Sequence, residues 1–144
     1  MPIRPNLPVG VTTVTPPAVE LLAKTAQVVR TDTTAFEAFY IPKGAVIAGV
    51  YVLGATASNA GTSATISVGS NPGTTNEILA SFDCKTNYGY VAAGAAAGSA
   101  IGTQLTADLK VKALYAESGI ASTAGGPWLI KVEYYMTSAG FPAY

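Results

Sequence analysis

The side chains that could do acid–base or nucleophilic chemistry in this chain are few, and their positions do not group them. The carboxylates Asp83, Asp108, Glu117 and Glu133 fall on different strands or loops, and no spacing brings two of them together. Histidine, the commonest general base and metal ligand, is absent from the 144 residues. A Ser-His-Asp arrangement is therefore impossible, and we predict no catalytic residue and no enzymatic activity.

The single cysteine is also a poor candidate for chemistry. Cys84 follows the apolar run at 78–82, and its only basic neighbour is Lys85. Without a second cysteine it cannot form an intrachain disulfide, and without cationic surroundings it has little reason to ionise. We predict a half-buried, inert thiol.

The glycine-rich and polar segments do not have the patterns of phosphate-binding or metal-binding sites. The stretches at 61–63 and 69–73 lack the GxxxxGK[ST] pattern and lie between strands, so they read as turns. A Ca²⁺ loop needs several spaced oxygen ligands, and Asn71, Asn76 and Asp83 do not form such a run. The sequence therefore predicts no cofactor and no metal.

Charge is scarce, and this limits the classes of partner. Eight basic and eight acidic residues cancel, and only 11% of the chain is charged, against about 25% in typical domains. No basic stripe with interleaved aromatics is visible, so nucleic acid is not an expected partner. No apolar run reaches the ~20 residues that span a bilayer, and the N-terminus lacks the apolar stretch of a secretory signal. We therefore expect no membrane partner and synthesis in the cytoplasm.

The same composition suits a protein that covers much of its surface in an assembly. Obligate interfaces are apolar and poor in charge, whereas soluble monomers usually keep apart through surface charge. Abundant Ala, Gly, Thr and Val fit the first description. A compact neutral monomer is the alternative.

Alternating apolar residues predict strands, most regularly between 41 and 70. Two alternating segments there flank a turn rich in Gly, Ser and Asn, which predicts a β-hairpin with one face in a core. In the first segment one face is predicted to hold Val46, Ala48, Val50 and Val52, and the other Ile47, Tyr51 and Leu53. In the second, Ala64, Ile66 and Val68 are predicted to share a face.

Further strands are predicted at 36–41, 76–83, 107–115 and 128–136. Residues 18–26 are compatible with one or two helical turns, and the Ala/Gly-rich segment 88–102 is predicted as a loop with one helical turn whose small residues allow close backbone approach. Seven or eight short strands separated by turns predict an all-β fold, a single antiparallel, jelly-roll-like β-sandwich. The predicted inward faces of the last two strands are Leu109, Val111, Ala113 and Tyr115, and Trp128, Ile130, Val132, Tyr134 and Met136.

Both ends of the chain are candidates for contacts with a neighbour. Five prolines exclude helix and central strand over 1–17, so we expect an extended N-terminal arm there and a β-sandwich domain over 18–144. The tail ends in aromatics that could anchor an interface. A frayed arm and a tail tucked onto the sandwich are the alternatives. The candidate interface residues are Pro2, Ile3, Arg4, Pro5, Leu7, Val9, Val11, Phe141 and Tyr144.

Four segments together resemble a known family. They are FYIPKGAVIAGVYV at 39–52, NAGTSATISVGSN at 59–71, LTADLKVKALY at 105–115 and AGGPWLIKVEYY at 124–135. This series of turn and strand signatures resembles small β-sandwich structural proteins of tailed bacteriophages, in particular capsid decoration (cement) proteins. The resemblance spans residues 39 to 135.

The resemblance implies a role and partners that the residue chemistry does not supply. It implies a virion structural protein on the capsid surface, with a homotrimer binding at junctions between major capsid protein subunits and stabilising the phage head. A tail, neck or head-fibre component of the virion is the first alternative. A carbohydrate-binding sandwich is the second, with Tyr88, Tyr90, Tyr134 and Tyr135 as its conceivable aromatic platform.

Overall fold

The computed structural model describes residues 19–137, and strands account for about half of the residues in that range. The one helical segment there is a three-residue 3₁₀ turn, Gly94–Ala96, so no helix in the described range could cross a membrane. The eight strands are β1 (Val19–Val28), β2 (Phe36–Ile41), β3 (Val46–Gly54), β4 (Ser63–Gly69), β5 (Leu79–Asp83), β6 (Gly89–Ala92), β7 (Leu109–Ser118) and β8 (Trp128–Thr137).

The strands form two four-stranded antiparallel sheets. Sheet A has the order β1-β8-β3-β6, and sheet B has the order β2-β7-β4-β5. The first strand pairs with the last and the inner strands pair in the same nested order: β1 lies beside β8, β2 beside β7, β3 beside β6 and β4 beside β5. The described chain is thus one long hairpin folded into two sheets, and the predicted all-β antiparallel sandwich is confirmed.

The predicted hairpin between 41 and 70 is wrong. Its two strands exist, but β3 lies in sheet A and β4 in sheet B, so the turn between them crosses from one sheet to the other. The predicted faces of β3 are also wrong at one point. A register shift between Ile47 and Gly49 changes the alternation, so Ile47 joins Val50 and Val52 in the core while Ala48 is exposed. The alternation of apolar and polar residues indicates which face of the sheet a side chain occupies. A bulge shifts the following residues to the opposite face, and nothing in the composition marks its position.

Two further segments depart from the prediction. Within the possible helix at 18–26, residues 19–26 form instead the first part of β1, where they pair one by one with β8. The segment 88–102 contains strand β6, which the sequence does not predict. The single helical turn that the sequence predicts follows it. Its small residues do allow close approach: a Cβ at Gly98 would overlap the backbone of Glu77.

The core between the sheets is built from the predicted inward faces of β7 and β8. Val111, Ala113 and Tyr115 on β7 are buried, and Leu109 packs at the border of the core. On β8, Trp128, Ile130, Val132 and Tyr134 are buried, and Met136 packs against them. Ala64, Ile66 and Val68 on β4 are buried as predicted. These positions confirm the alternation read from the sequence.

Candidate interaction surface

The interface residues predicted from the sequence lie outside the range that the structure describes. This holds for the arm residues Pro2, Ile3, Arg4, Pro5, Leu7, Val9 and Val11, and for the tail residues Phe141 and Tyr144. They stay predictions. The surface described below was not predicted, and it is assembled from strands that are distant in sequence.

Asp83 is used to close a turn. One of its carboxylate oxygens accepts hydrogen bonds from the backbone N–H groups of Lys85 (2.9 Å) and Thr86 (3.2 Å), and the other accepts from the Thr86 hydroxyl (2.6 Å). The hydrogen bond from Thr86 lowers the pKa of Asp83 more than any other contact. A carboxylate with these partners stabilises the connection between β5 and β6.

Glu117 belongs to a polar cluster at the edge of the core. The Tyr115 hydroxyl donates to its Oε2 at 2.6 Å and lies 2.8 Å from the hydroxyl of Ser58, and the backbone N–H of Ser122 donates to its Oε1 at 3.0 Å. Hydrogen bonds from Ser122 and Tyr115 lower the pKa of Glu117, while burial is the main cause of the raised pKa of Tyr115. The cluster anchors the 118–122 turn to the sandwich.

The remaining carboxylates and the cysteine considered for catalysis also have structural roles. Asp108 accepts a hydrogen bond from the backbone N–H of Lys43 at 2.8 Å, and Glu133 forms an ion pair with Lys131 at 2.9 Å. Cys84 is fully buried, and burial raises the pKa of its thiol to about 12. Within residues 19–137, no three His, Cys, Asp or Glu side chains come close enough to share a metal ion.

The most distinctive surface is the outer face of sheet A. Along β8, the residues alternating with the buried ones point outward, and each has neighbours on the adjacent strands. Leu129 lies beside Leu53 of β3, and Leu53 lies beside Tyr90 of β6, which makes an apolar row across three strands. We define the outer face of sheet A by Val19, Leu21, Ala23, Thr25, Gln27, Gly49, Tyr51, Leu53, Tyr90, Ala92, Leu129, Lys131, Glu133 and Tyr135.

Two tyrosines and an ion pair occupy the middle of this face. Tyr51 and Tyr90 stack with ring centroids 5.5 Å apart, and the Lys131 ammonium lies 5.8 Å from the Tyr51 ring. The negative charge of Glu133 raises the pKa of Tyr51, while Glu133 and Lys131 neutralise each other. Gly49 leaves room for the Tyr51 ring, since a Cβ there would meet its hydroxyl at 3.2 Å. Most of the face is thus apolar or aromatic, and its polar groups are one internally compensated ion pair with Thr25 and Gln27 of β1 beside it.

The outer face of sheet B has a different character. Glu37 of β2 pairs with Lys110 of β7 at 2.8 Å, and Lys110 also lies 5.7 Å from the Tyr40 ring. Thr65 and Ser67 of β4 point to the same side, beside β7. Charged and hydroxyl side chains thus share the outer face of sheet B with Tyr40 (54% exposed), Leu114 and Ala116. On sheet A, six large apolar residues leave between 39% and 62% of their surface exposed: Val19, Leu21, Leu53, Tyr90, Leu129 and Tyr135.

The beginning of β1 extends this apolar surface to the edge of sheet A. Residues 19–25 are exposed on both faces of the strand, including Val19 (62%), Leu21 (51%) and Leu22 (38%). Val19 is opposite Thr137 in the antiparallel register with β8, so the described chain begins and ends at the same corner of sheet A. The predicted arm and the predicted aromatic tail both connect there.

The four tyrosines considered for a carbohydrate platform do not share one site. Tyr134 is buried in the core, Tyr90 and Tyr135 lie in different rows of sheet A, and Tyr88 precedes β6. The aromatic pair on the outer face is Tyr51 with Tyr90. No spacing in the sequence signals that pair, since it depends on β3 lying beside β6.

Comparison with known proteins identifies the fold. No protein-family model and no curated protein matches the chain. Among solved structures, a chain of the cyanophage Pam1 capsid asymmetric unit is similar with a TM-score of 0.59 and 16% identity, over 96% of both chains. A chain of the acid-stable capsid of Helicobacter pylori bacteriophage KHP30 is similar with a TM-score of 0.59 and 14% identity, over 83% of this chain and 94% of that one. At these identities the similarity establishes a shared sandwich fold.

Proposed function

We propose that this chain is a structural protein of a bacteriophage virion that decorates the capsid and reinforces junctions between major capsid protein subunits. The observation that carries the proposal is the end-to-end similarity to a chain of the Pam1 capsid, which covers 96% of each chain. The second capsid structure and the family resemblance of residues 39–135 support the same role.

The surface chemistry suits binding to a protein rather than catalysis. Asp83, Asp108, Glu117 and Glu133 are all held in turns or ion pairs, and the Cys84 thiol is buried. The outer face of sheet A offers an apolar area whose one ion pair is internally neutralised. Burying such a face contributes about 25 cal/mol per Å² before the entropy of association is subtracted.

A rigid sandwich on a junction would stabilise a capsid mechanically. Packaged DNA pushes outward, and subunit junctions are where a shell first separates. A protein that buries apolar surface on both sides of a junction raises the free energy needed to part them. A homotrimer would repeat one contact three times at a three-fold junction, which increases the effective affinity. We expect the arm and the tail aromatics to add contacts from the corner at Val19 and Thr137.

The test is to add the purified chain to phage particles that lack it. We expect saturable binding in proportion to the number of capsid subunit junctions, together with a higher temperature of DNA release. A chain without residues 2–17 should keep its sandwich and lose this binding. Binding restricted to the few copies that fit at a neck or tail tip would instead support the alternative virion role, and binding to no particle would contradict the proposal.

A further inference from the structure

The four edges of the two sheets differ in how well they are protected. In sheet B, β2 has a register shift between Glu37 and Phe39, and β5 is short and bulged, with Ser81 at φ 51°. In sheet A, β6 has only four residues. Bulges and shortness are the usual means by which proteins prevent strands of other chains from pairing with an edge.

β1 has neither form of protection. It is ten residues long, its register with β8 is continuous, and it lies at the end of the strand order. Residues 19–25 are exposed on both faces, and no other strand within residues 19–137 pairs with its free edge. A long, regular and partly apolar edge is a template for adding a further strand.

The sequence just before β1 contains a segment suited to that position. Residues 9–15, VGVTTVT, are uncharged and consist of β-branched residues except for one glycine. Pro8 bounds the segment on one side and Pro16 on the other, which is the signature of a short strand.

The dipeptide Pro16-Pro17 opposes pairing of this segment with its own β1. Only residues 16–18 separate the two, so pairing would need a tight hairpin turn. The favoured turns require positive φ at a central residue, whereas proline holds φ near about −65°. Pro17 also keeps Pro16 out of the helical region that a type I turn would need. Pairing of residues 9–15 with the β1 edge of their own chain is therefore disfavoured.

From these observations we infer that residues 9–15 of one copy add as a strand to the β1 edge, Val19–Thr25, of a second copy. The contact joins two different surfaces, so it is heterologous and can close into a ring. A ring of three would produce the homotrimer that the resemblance implies. The inference concerns association of the isolated chain and does not require that its partner in the virion is the capsid.

The test uses two variants that each remove one side of the contact. Thr12→Pro/Thr13→Pro removes two successive N–H donors, one of which must face the partner edge. Leu21→Lys/Leu22→Lys adds charge on both faces of the edge. The matched controls are Asn6→Pro, which lies outside the segment, and Tyr88→Lys/Ile120→Lys, which adds charge at two apolar residues away from β1 that are even more exposed (68% and 81%).

We expect the wild-type chain and both controls to form the same oligomer in light scattering and sedimentation, and each variant to fall to the mass of one chain. Mixing the two variants should restore a one-to-one complex, because the intact arm of the edge variant meets the intact edge of the arm variant. Neither pairing between two β1 edges nor packing between sheet faces predicts that recovery.

Three results would overturn the inference: a monomeric wild-type chain, an arm variant that stays oligomeric, or variants that remain monomeric after mixing. The arm substitutions lie outside the eight strands, so the arm variant decides the matter even where the edge variant folds poorly. Failure here leaves the binding of the wild-type chain to particles unaffected, and the two proposals can therefore fail separately.

Discussion

Tyr115 of β7 stacks on Trp128 of β8 across the core, with ring centroids 5.4 Å apart and an angle of 17° between the planes. The two residues belong to different sheets, so the stack joins sheet B to sheet A. A Cβ at Gly54 would overlap the Trp128 indole, which explains why β3 ends in glycine there. The hydroxyl of Tyr115 continues from this stack into the polar cluster with Ser58 and Glu117.

The first prediction concerns that hydroxyl. Tyr115→Phe keeps the stacked ring but removes the donor to Glu117 Oε2 and the hydrogen bond with the buried Ser58 hydroxyl, so we expect a loss of about 1–3 kcal/mol in the free energy of unfolding. Urea unfolding should show a lower midpoint with an unchanged slope. Tyr134→Phe is the matched control, since burial is the only cause that raises the pKa of that phenol, and its effect should be clearly smaller. Equal losses in both variants would contradict the role of the cluster.

The second prediction is a pH dependence at Glu117. Its pKa in the folded protein is lowered from the ordinary value of 4.5, chiefly by hydrogen bonds from Ser122 and Tyr115. A lowered folded-state pKa stabilises the protein above the unfolded value, and that contribution is lost as the pH falls through the folded pKa. The difference in urea midpoint between wild type and Glu117→Gln should therefore be largest at neutral pH and shrink below pH 4.5. A difference independent of pH would show that ionisation of Glu117 contributes nothing.

The third prediction compares two tyrosines of nearly equal exposure on opposite sheets. Tyr90 is 56% exposed on sheet A, and Tyr40 is 54% exposed on sheet B. If the outer face of sheet A binds the capsid, Tyr90→Glu should weaken binding to particles by about thirtyfold or more, which is the effect of losing a residue worth ~2 kcal/mol. Tyr40→Glu should bind as the wild type does. The opposite order of effects would move the binding surface to sheet B.

The fourth prediction tests the proline hinge. Replacing Pro16-Pro17 by Asn-Gly supplies a dipeptide that forms a type I′ turn, so residues 9–15 should fold back onto their own β1. We expect this variant to be a folded monomer in light scattering. Pro16→Ala/Pro17→Ala is the control for loss of proline without gain of a turn former, and it should remain oligomeric. An Asn-Gly variant that associates like the wild type would refute the role of the hinge.

The inward faces of the strands could be predicted because burial follows the two-residue period of a strand. Tyr115 and Trp128 were assigned to the core on this basis, and both are buried. Two assignments failed for physical reasons. The bulge at Ala48 resets the alternation without altering composition, and residues 19–26 form a strand because β8 offers a continuous register, although their local propensity allows helix.

The candidate surface could not be predicted, because its residues come from four strands that are distant in the chain. Tyr51 and Tyr90 stack only because β3 lies beside β6, and Leu53 meets Leu129 only because β8 lies between β1 and β3. The sequence alone determined the fold class, the alternation within β4, β7 and β8 and the scarcity of reactive groups, since these depend on residue type and local spacing. The tertiary structure decided which strands are neighbours, because pairing between distant segments depends on how the two sheets close over a shared core.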